Sequence, residues 1–189
     1  MEDFKEDLTA ALETLRNGGL ILYPTDTVWG IGCDATDEEA VARVYAVKKR
    51  EDHKSLIVLV AEERDILQYT AAADPGVFTY LEKAQKPTTV IYSGALGLAS
   101  NLISKDGSVG IRICKEPFCR ALIKRLRKPL VSTSANISGE PTATFFDEIS
   151  DAVKQKMDYI VTYRQQDKTP AQPSSVIRWE DGKISVIRP

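Results

Sequence analysis

The order of apolar and polar residues predicts helices and strands that alternate along the whole chain. A recurrence of apolar side chains every three or four residues predicts helices at 3–16, 62–69, 75–84, 117–127 and 145–157. A capping box of Thr36 and Glu39 opens one more helix, which runs into "VKKRED". Apolar runs predict strands at 20–23, 55–60, 88–94, 108–114, 129–136 and 158–163. The chain then ends in a predicted hairpin with Asp181-Gly182 at its turn.

This interleaving predicts one α/β domain that spans residues 1–189. The sheet is expected to be mixed, because the terminal hairpin adds antiparallel pairing to strands that are joined through helices. No internal repeat, low-complexity linker or shift in composition divides the chain. A length of 189 residues is compatible with a single domain of this kind.

Composition narrows the classes of function. A formal net charge of −2 argues against general coating of nucleic acid, although local basic patches remain compatible with it. No apolar run approaches the ~20 residues that cross a bilayer, and the acidic, polar N-terminus is unlike a secretory signal. Three cysteines without a CxxC pair and a single histidine predict reduced thiols and no zinc site. We therefore expect a cytoplasmic protein that does not associate with membranes.

The stretch "PTDT" at 24–27 follows a buried strand directly. Two interpretations are open. Pro24 fixes φ while threonine and aspartate hydrogen-bond the local backbone of a turn, or the small hydroxyl side chains form a lip that grips a small polar ligand.

The stretch "KKRED" lies where a predicted helix ends. Basic residues at this position complement the helix dipole without any further role. Lys48 and Arg50 also alternate, so in an extended exit segment they would point the same way and match a polyphosphate.

The stretch "LVSTSANISGEPT" at 130–142 places hydroxyls, an amide and a glycine after a buried strand. It is either a serine-rich connection or a loop that offers N–H and hydroxyl groups to phosphate oxygens. It is not a Walker A loop, and the chain has no GxSxG sequence around a serine nucleophile.

Arg112 stands between Ile111 and Ile113 in a predicted strand. An exposed sheet face is the simplest explanation, and a paired or ligand-facing arginine is the alternative. Taken together, the four stretches predict a cleft for phosphate and carboxylate groups, without metal ligands or a covalent nucleophile.

An ordered set of sequences now resembles a known family. "NGGLILYPTDTVWGIGCDA", "VYAVKKR", "KSLIVLV", "PTTVIYSG", "SVGIRIC", "STSANISGEPT" and "PSSVI" follow one another as in the YrdC-like threonylcarbamoyl-AMP synthase family. The similarity extends from about residue 17 to residue 189. The P-T-[DE]-T, K-x-R and S-x-N motifs are short individually, and their order and spacing make the set specific.

The resemblance implies a twisted α/β sheet with a large concave cleft. It also implies the synthesis of threonylcarbamoyl-AMP and pyrophosphate from L-threonine, bicarbonate or CO2, and ATP. This product feeds the formation of N6-threonylcarbamoyladenosine in tRNA. The implied partners are therefore the three substrates, the tRNA threonylcarbamoyl-transferase proteins downstream, and tRNA or double-stranded RNA itself. Mg²⁺ is expected to be bound through ATP rather than in a protein cage.

The resemblance also assigns site residues by their positions in this chain. The catalytic residues would be Lys48, Arg50, Ser134 and Asn136. The ATP site would consist of Arg50, Lys54, Ser108, Ser134, Thr142 and Arg188. The threonine site would consist of Thr27, Arg112, Ser132 and Ser174. In the threonine site, Arg112 would clamp the amino-acid carboxylate, and Asp26 would brace the turn.

The chain departs from the family pattern at several positions. Lys49 and Glu51 replace a glycine and a proline after the lysine of K-x-R, and Ser55 replaces a further proline. Cys114 stands where a proline is common, and Leu59 stands where some members place a histidine in the threonine pocket. Because no C-terminal extension follows in this sequence, it resembles the short, single-domain form.

Two other functions are compatible with the same resemblance. One is a non-catalytic module that binds double-stranded RNA or tRNA, for which the near-neutral charge is unfavourable. The other is a carbamoyl-phosphate-dependent domain of hydrogenase-maturation proteins. Those proteins carry acylphosphatase and zinc-finger segments, which this sequence does not contain.

Overall fold

The computed structural model describes residues 4–49, 56–71 and 73–189, and nine strands are found in this part of the chain. The strands are β1 (Ile21–Tyr23), β2 (Gly30–Gly32), β3 (Ile57–Val60), β4 (Thr88–Tyr92), β5 (Val109–Ile113), β6 (Leu130–Ser134), β7 (Tyr159–Ile160), β8 (Ser175–Glu180) and β9 (Lys183–Arg188). The helices are α1 (Lys5–Arg16), α2 (Glu38–Lys48), α3 (Glu63–Ile66), α4 (Pro75–Lys83), α5 (Pro117–Leu126) and α6 (Asp151–Lys154). Short 3-10 helices lie at Ser100–Leu102 and Phe146–Glu148.

The strands form one sheet in the order β7-β1-β2-β6-β3-β5-β4-β8-β9. Strand β1 is parallel to β7, β3 to β5 and β4 to β8, while the remaining neighbours are antiparallel. The predicted mixed sheet is confirmed. Asp181 and Gly182 both have positive φ at the terminal hairpin, as the tight turn between right-twisted strands requires.

Helix α1 covers one side of the sheet together with α5. Its apolar stripe is buried, as the helical spacing predicted, with Leu8 and Leu15 at 0–1% exposure. The Phe4 ring meets the Phe118 ring edge-on at 5.7 Å between centroids. The three cysteines are free and fully buried, so they pack as small apolar side chains.

The start of α2 differs from the prediction. The Thr36 hydroxyl donates to the Asp34 carboxylate at 2.7 Å and is not the cap of the helix. Asp37 caps it instead and accepts from the backbone N–H groups of Glu39 and Ala40 at 3.0 and 3.1 Å. The capping box of Thr36 and Glu39 is therefore wrong, because an acceptor one residue later takes the cap.

Two further elements differ from the prediction. The helix expected at 145–157 is interrupted, since Ser150 is extended and α6 covers only Asp151–Lys154. A Glu148 carboxylate oxygen accepts from the backbone N–H groups of Thr144 and Phe145 at 2.7 and 3.1 Å, which closes a separate short turn. Strand β2 was not predicted, because a three-residue Gly-Ile-Gly strand has neither apolar length nor alternation.

The lengths of the helices can be compared with the length that a bilayer span requires. The described residues include no helix with the length and apolar character that a bilayer span requires.

A buried carboxylate connects α1 to the segment after β7. Asp7 is 3% exposed and accepts from the Tyr159 hydroxyl at 2.6 Å. It also accepts from the Thr162 backbone and hydroxyl, both at 2.9 Å, and from the Tyr163 backbone at 2.8 Å. Burial alone raises the pKa of Asp7, but the hydrogen bonds from Thr162, Tyr159 and Tyr163 outweigh it, so the pKa is lowered.

Asp7→Asn is expected to lower the free energy of unfolding by about 2 kcal/mol near neutral pH, because an amide leaves buried donors unmatched. A carboxylate whose folded pKa lies below its unfolded value of 3.8 stabilises the fold above that value. The contribution disappears as the pH falls through the folded pKa, so the difference between variant and wild type should be smaller in acid, well below pH 3.8, than near neutral pH. Urea unfolding at both pH values measures this. Glu6→Gln, on the exposed side of α1, is the matched control, and a difference that persists in acid would contradict the assignment.

Candidate active site

A cleft of about 490 Å³ lies across one face of the sheet. It is lined by side chains and glycines from seven strands and from loops next to them. The polar and charged lining residues are Thr27, Thr89, Ser108, Arg112, Ser132, Thr133, Ser134, Thr142, Ser174, Arg178 and Arg188. The apolar lining residues include Trp29, Leu56, Ile57, Ile91, Val176 and Ile187.

Side chains alternate between the two faces of the sheet along each strand, and this explains why these residues meet on one face. Gly110 and Arg112 share one face of β5, and Ser132 and Ser134 share the same face of β6. Strand β3 lies between β5 and β6, and Ile57 is opposite both Gly110 and Ser132. Gly110 keeps the floor open, since a Cβ there would lie 3.2 Å from the Thr89 methyl group and 3.5 Å from the Ile57 side chain.

Arg112 forms the charged end of the cleft floor. It is only 2% exposed, and its Nη2 lies 3.2 Å from the Thr27 hydroxyl and 3.1 Å from Asp26 Oδ1. Its Nε has no hydrogen-bond partner among the described residues. The arginine is therefore both paired and ligand-facing, and the exposed sheet face is excluded. A buried guanidinium with an unmatched N–H suits a carboxylate or phosphate ligand.

Different residues of the "PTDT" stretch serve the two roles that its sequence allowed, namely the turn and the lining of a ligand site. Thr25 makes the turn, since its hydroxyl oxygen accepts from the Thr27 backbone at 3.0 Å and its O–H donates to the Val28 carbonyl at 2.7 Å. Thr27 lines the cleft. Asp26 accepts from the Lys115 backbone at 3.3 Å and pairs with Arg112, so it ties the turn to the end of β5.

Lys48, Ser134 and Asn136 form a compact cluster at the edge of the cleft. The Lys48 ammonium donates to the Ser134 carbonyl at 2.6 Å and to Asn136 Oδ1 at 3.0 Å, and its Nζ lies 3.3 Å from the Ser134 hydroxyl. The Ser134 hydroxyl donates to Asn136 Oδ1 at 2.5 Å. The Asn136 amide donates to the Glu140 carbonyl at 2.7 Å, which holds the loop after β6 closed. Ser134 lines the cleft, whereas Lys48 and Asn136 stand behind it.

The interpretation that places Lys48 in an extended segment after the helix is wrong. Lys48 is the last residue of α2 and is 2% exposed, and Lys49 ends the helix in the left-handed conformation. The helix therefore aims the Lys48 side chain inward against β6, and helix packing rather than strand alternation sets its direction. Arg50 and Lys54 lie outside the described residues.

A second polar group closes the opposite wall of the cleft. The Arg188 guanidinium donates to the Ser174 carbonyl through Nε at 2.9 Å and Nη2 at 2.7 Å. The Ser174 hydroxyl is 2.9 Å from the Thr89 hydroxyl. Asp106 accepts from the Ser108 hydroxyl at 2.6 Å, and the Ser108 hydrogen bonds are the main reason that its pKa is lowered.

The structure brings most of the predicted site residues to one cleft. Those that line it are Thr27, Ser108, Arg112, Ser132, Ser134, Thr142, Ser174 and Arg188. Leu59 is fully buried beside Arg112 in the β3–β5 register, and it does not line the cleft.

Sequence reasoning missed four polar or aromatic residues of the cleft, namely Trp29, Thr89, Thr133 and Arg178. Trp29 follows "PTDT" by two residues and packs on Phe146 at 4.9 Å between ring centroids, so its nearness to the turn was the available signal. Thr89 and Arg178 sit on β4 and β8, whose parallel pairing is not encoded locally.

The cleft carries three arginines and a row of hydroxyl groups, and none of the described lining residues is a carboxylate. Such a surface suits a polyanion and does not supply the oxygen ligands of a protein-held Mg²⁺ site. Fold and cleft thus define an α/β protein with a cleft on the face of a mixed sheet whose lining suits small anionic ligands.

A family profile described as "Telomere recombination", which covers the Sua5, YciO and YrdC proteins, matches residues 13–189. The chain belongs to this family. The protein is 35% identical over 187 residues to a putative threonylcarbamoyl-AMP synthase of Methanocaldococcus jannaschii, covering 99% of this chain and 87% of the relative.

Two solved structures share the fold. P. abyssi Sua5 complexed with L-threonine superposes with a TM-score of 0.86 at 23% identity, over 97% of this chain and 54% of Sua5. E. coli YciO superposes with a TM-score of 0.83 at 24% identity, over 97% of this chain and 88% of YciO. The chain therefore spans about half the length of Sua5 and most of YciO. The twisted α/β sheet implied by the family resemblance is confirmed.

Proposed function

We propose that this protein is a nucleotidyltransferase that makes threonylcarbamoyl-AMP and pyrophosphate from L-threonine, bicarbonate or CO2, and ATP. The observation that carries the proposal is the arrangement of Arg112, Thr27 and Ser132 at one end of a cleft whose other polar residues suit phosphates. The M. jannaschii relative bears the name of this activity, and the Sua5 structure was obtained with L-threonine.

The threonine end of the cleft would hold an amino acid by its carboxylate. Arg112 provides a planar fork with an unmatched N–H, and a carboxylate is the ligand that this fork matches best. The Thr27 hydroxyl contacts Arg112, and Ser132 and Ser174 line the same cleft; these hydroxyls would bind the remaining polar groups of the amino acid.

The phosphate end would be formed by Ser108, Ser134, Thr142 and Arg188, together with Arg50 and Lys54, which lie outside the described residues. Lys48 and Asn136 would hold Ser134 in place, and Lys48 adds a positive charge behind it. This arrangement assigns electrostatic and positioning roles and no covalent intermediate on the protein.

The reaction would then proceed in two steps. The threonine amine attacks CO2, forms a C–N bond and loses a proton, which gives N-carboxythreonine. A carboxylate oxygen of this carbamate attacks the α-phosphorus of ATP, and the bond from that phosphorus to the pyrophosphate oxygen breaks. Positive charge from Arg50 and Arg188 would offset the charge that develops on the leaving pyrophosphate, and Lys48 would hold Ser134 in position for this step.

Mg²⁺ would enter bound to the ATP phosphates. The described cleft residues fit that mode, since they offer hydroxyls and cations and no cage of carboxylates. We further propose that residues 1–189 act as one domain in the cytoplasm. The intermediate would pass to the proteins that transfer the threonylcarbamoyl group to tRNA.

The expected result is pyrophosphate release from ATP that requires both L-threonine and bicarbonate. Each substrate is omitted in turn, and isotopically labelled bicarbonate is followed into a nucleotide product, because the proposed product contains the bicarbonate carbon. L-2-Aminobutyrate, which differs from L-threonine only in lacking the hydroxyl group, is the matched control amino acid. Failure to release pyrophosphate, combined with salt-dependent binding of tRNA or double-stranded RNA, would contradict the proposal and favour the RNA-binding module.

A further inference from the structure

The outer face of the "PTDT" turn is held by a residue that sequence reasoning did not single out. The Thr25 carbonyl accepts from Arg164 Nη1 at 3.2 Å. The inner face of the same turn carries the Thr27 hydroxyl, which lies 3.0 Å from the Thr25 hydroxyl and 3.2 Å from Arg112 Nη2. Arg164 therefore contacts the backbone of the turn and Arg112 contacts its Thr27 side chain, and of these two arginines Arg112 lines the cleft.

The backbone of Arg164 adopts a conformation that is unfavourable for arginine. Four described non-glycine residues have positive φ, and three of them end helices or form the hairpin turn, where this conformation is common. Arg164 has φ 65° in the segment after β7, outside any helix or hairpin. Backbone hydrogen bonds hold this turn, from the Gln165 N–H to the Thr162 carbonyl at 3.3 Å and from the Asp167 N–H to the Arg164 carbonyl at 3.1 Å, and the side-chain contacts of Arg164 add to them.

Those contacts are numerous and directional. Nε and Nη2 bind Asp167 Oδ2 at 3.0 and 2.9 Å, which leaves Nη1 to reach the Thr25 carbonyl. Hydrogen bonds from Thr169, followed by those from Arg164, lower the pKa of Asp167 to about 2, so this partner is charged at neutral pH. The guanidinium is thereby fixed in one orientation.

A second carboxylate completes the arrangement. Glu116 caps α5 by accepting from the Cys119 backbone at 2.8 Å, and its other oxygen lies 3.7 Å from Arg164 Nη1. That oxygen has no hydrogen-bond partner among the described residues. Burial raises the pKa of Glu116, and Arg164 counteracts the rise. Arg164 thus links the segment after β7, the start of α5 and the "PTDT" turn.

We propose that Arg164 is a positioning residue of the threonine site. It fixes the Thr25 carbonyl and so holds the Thr27 hydroxyl against Arg112. This inference rests on the proposed function, because it concerns how the same site binds L-threonine. Arg164 does not line the cleft, so its effect is expected on threonine affinity and not on the chemical step.

The test uses Arg164→Gly in the full chain, since glycine takes a positive φ without steric cost and the backbone can remain as it is. Loss of one charge-assisted hydrogen bond is expected to raise the KM for L-threonine about 10-fold. The KM for ATP and the kcat should stay within about twofold of wild type, because the phosphate end is not contacted. Arg164→Lys keeps a cation and should recover part of the threonine affinity.

Arg127→Gly is the matched control, since Arg127 is also a left-handed arginine but ends α5 away from the cleft. Its kinetic constants should equal those of wild type. An unchanged threonine KM in Arg164→Gly, or an equal rise in the KM for both substrates, would overturn the inference. If Arg164→Gly does not fold, Arg164→Asn takes its place, since asparagine tolerates a positive φ and carries no cation, and a wild-type threonine KM in that variant overturns the inference. If the wild-type chain shows no threonine-dependent pyrophosphate release, the proposed function is overturned as well. If the wild-type chain shows it and the Arg164 variant keeps the wild-type threonine KM, only the positioning role of Arg164 is overturned.

Discussion

Lys48→Met is expected to slow threonine-dependent pyrophosphate release by about 10²- to 10³-fold, the loss typical of removing one charged donor from a preorganised site. Methionine keeps most of the buried volume of the side chain, so the fold should persist. The variant loses the ammonium that binds the Ser134 carbonyl and Asn136 Oδ1. Initial rates with each substrate varied, together with the circular dichroism spectrum, measure the effect.

Lys49→Gly provides the matched control for this prediction. Lys49 is exposed and follows Lys48 directly, and its φ of 49° is one that glycine adopts easily. The Lys49→Gly variant should therefore retain the wild-type rates, and its stability should equal or exceed that of wild type. Wild-type turnover in Lys48→Met would remove Lys48 from the site.

A double variant separates two ways in which Lys48 can act. If Lys48 works only by holding Ser134, then Lys48→Met combined with Ser134→Ala should be no slower than the slower single variant. If the ammonium itself meets the ATP phosphates, the two effects should multiply. The present geometry places Lys48 behind Ser134, so we expect the non-additive result.

The sequence predicts best those helices and strands that are determined by residues close to one another in the chain. Helix α1 has a clear apolar stripe and ends before two glycines, and β3 is an apolar run buried in the centre of the sheet. Strand β2 was missed because its three residues are held by pairing with β1 and β6, which contribute contacts from distant parts of the chain. The helix at 145–157 was overestimated, because the Glu148 carboxylate accepts hydrogen bonds from the backbone N–H groups of Thr144 and Phe145, and these bonds compete with helical ones.

The site residues could be predicted where polar side chains recur at every second position of one strand. Arg112, Ser132 and Ser134 lie on the cleft face because their strands impose a period of two. The residues alone left the roles within "PTDT" open, since Thr25 and Thr27 are chemically identical. The family resemblance assigned Thr27 to the threonine site and Asp26 to the turn, and Thr27 lines the cleft. Arg164 was not identifiable either, because its partner Thr25 lies 139 positions away in the chain.

Arg112→Lys is expected to raise the KM for L-threonine about 100-fold, while the KM for ATP stays within about twofold of wild type. Lysine preserves one positive charge beside Asp26 but replaces the planar fork with a single point of contact. The unmatched Nε–H, which is available to a ligand carboxylate, is lost as well. Steady-state kinetics with each substrate varied, and calorimetric titration of L-threonine, measure the two affinities.

Arg178→Lys is the matched control because Arg178 is another arginine of the same cleft. It lies on β8, is 28% exposed and pairs at 3.4 Å with both Asp106 and Glu180, away from the "PTDT" turn. Its threonine KM should therefore equal that of wild type. If Arg112→Lys binds L-threonine normally, or if Arg178→Lys weakens threonine binding equally, the carboxylate does not bind at Arg112. In either case the threonine end of the cleft would have to be reassigned, because Thr27 depends on Arg112 for its position.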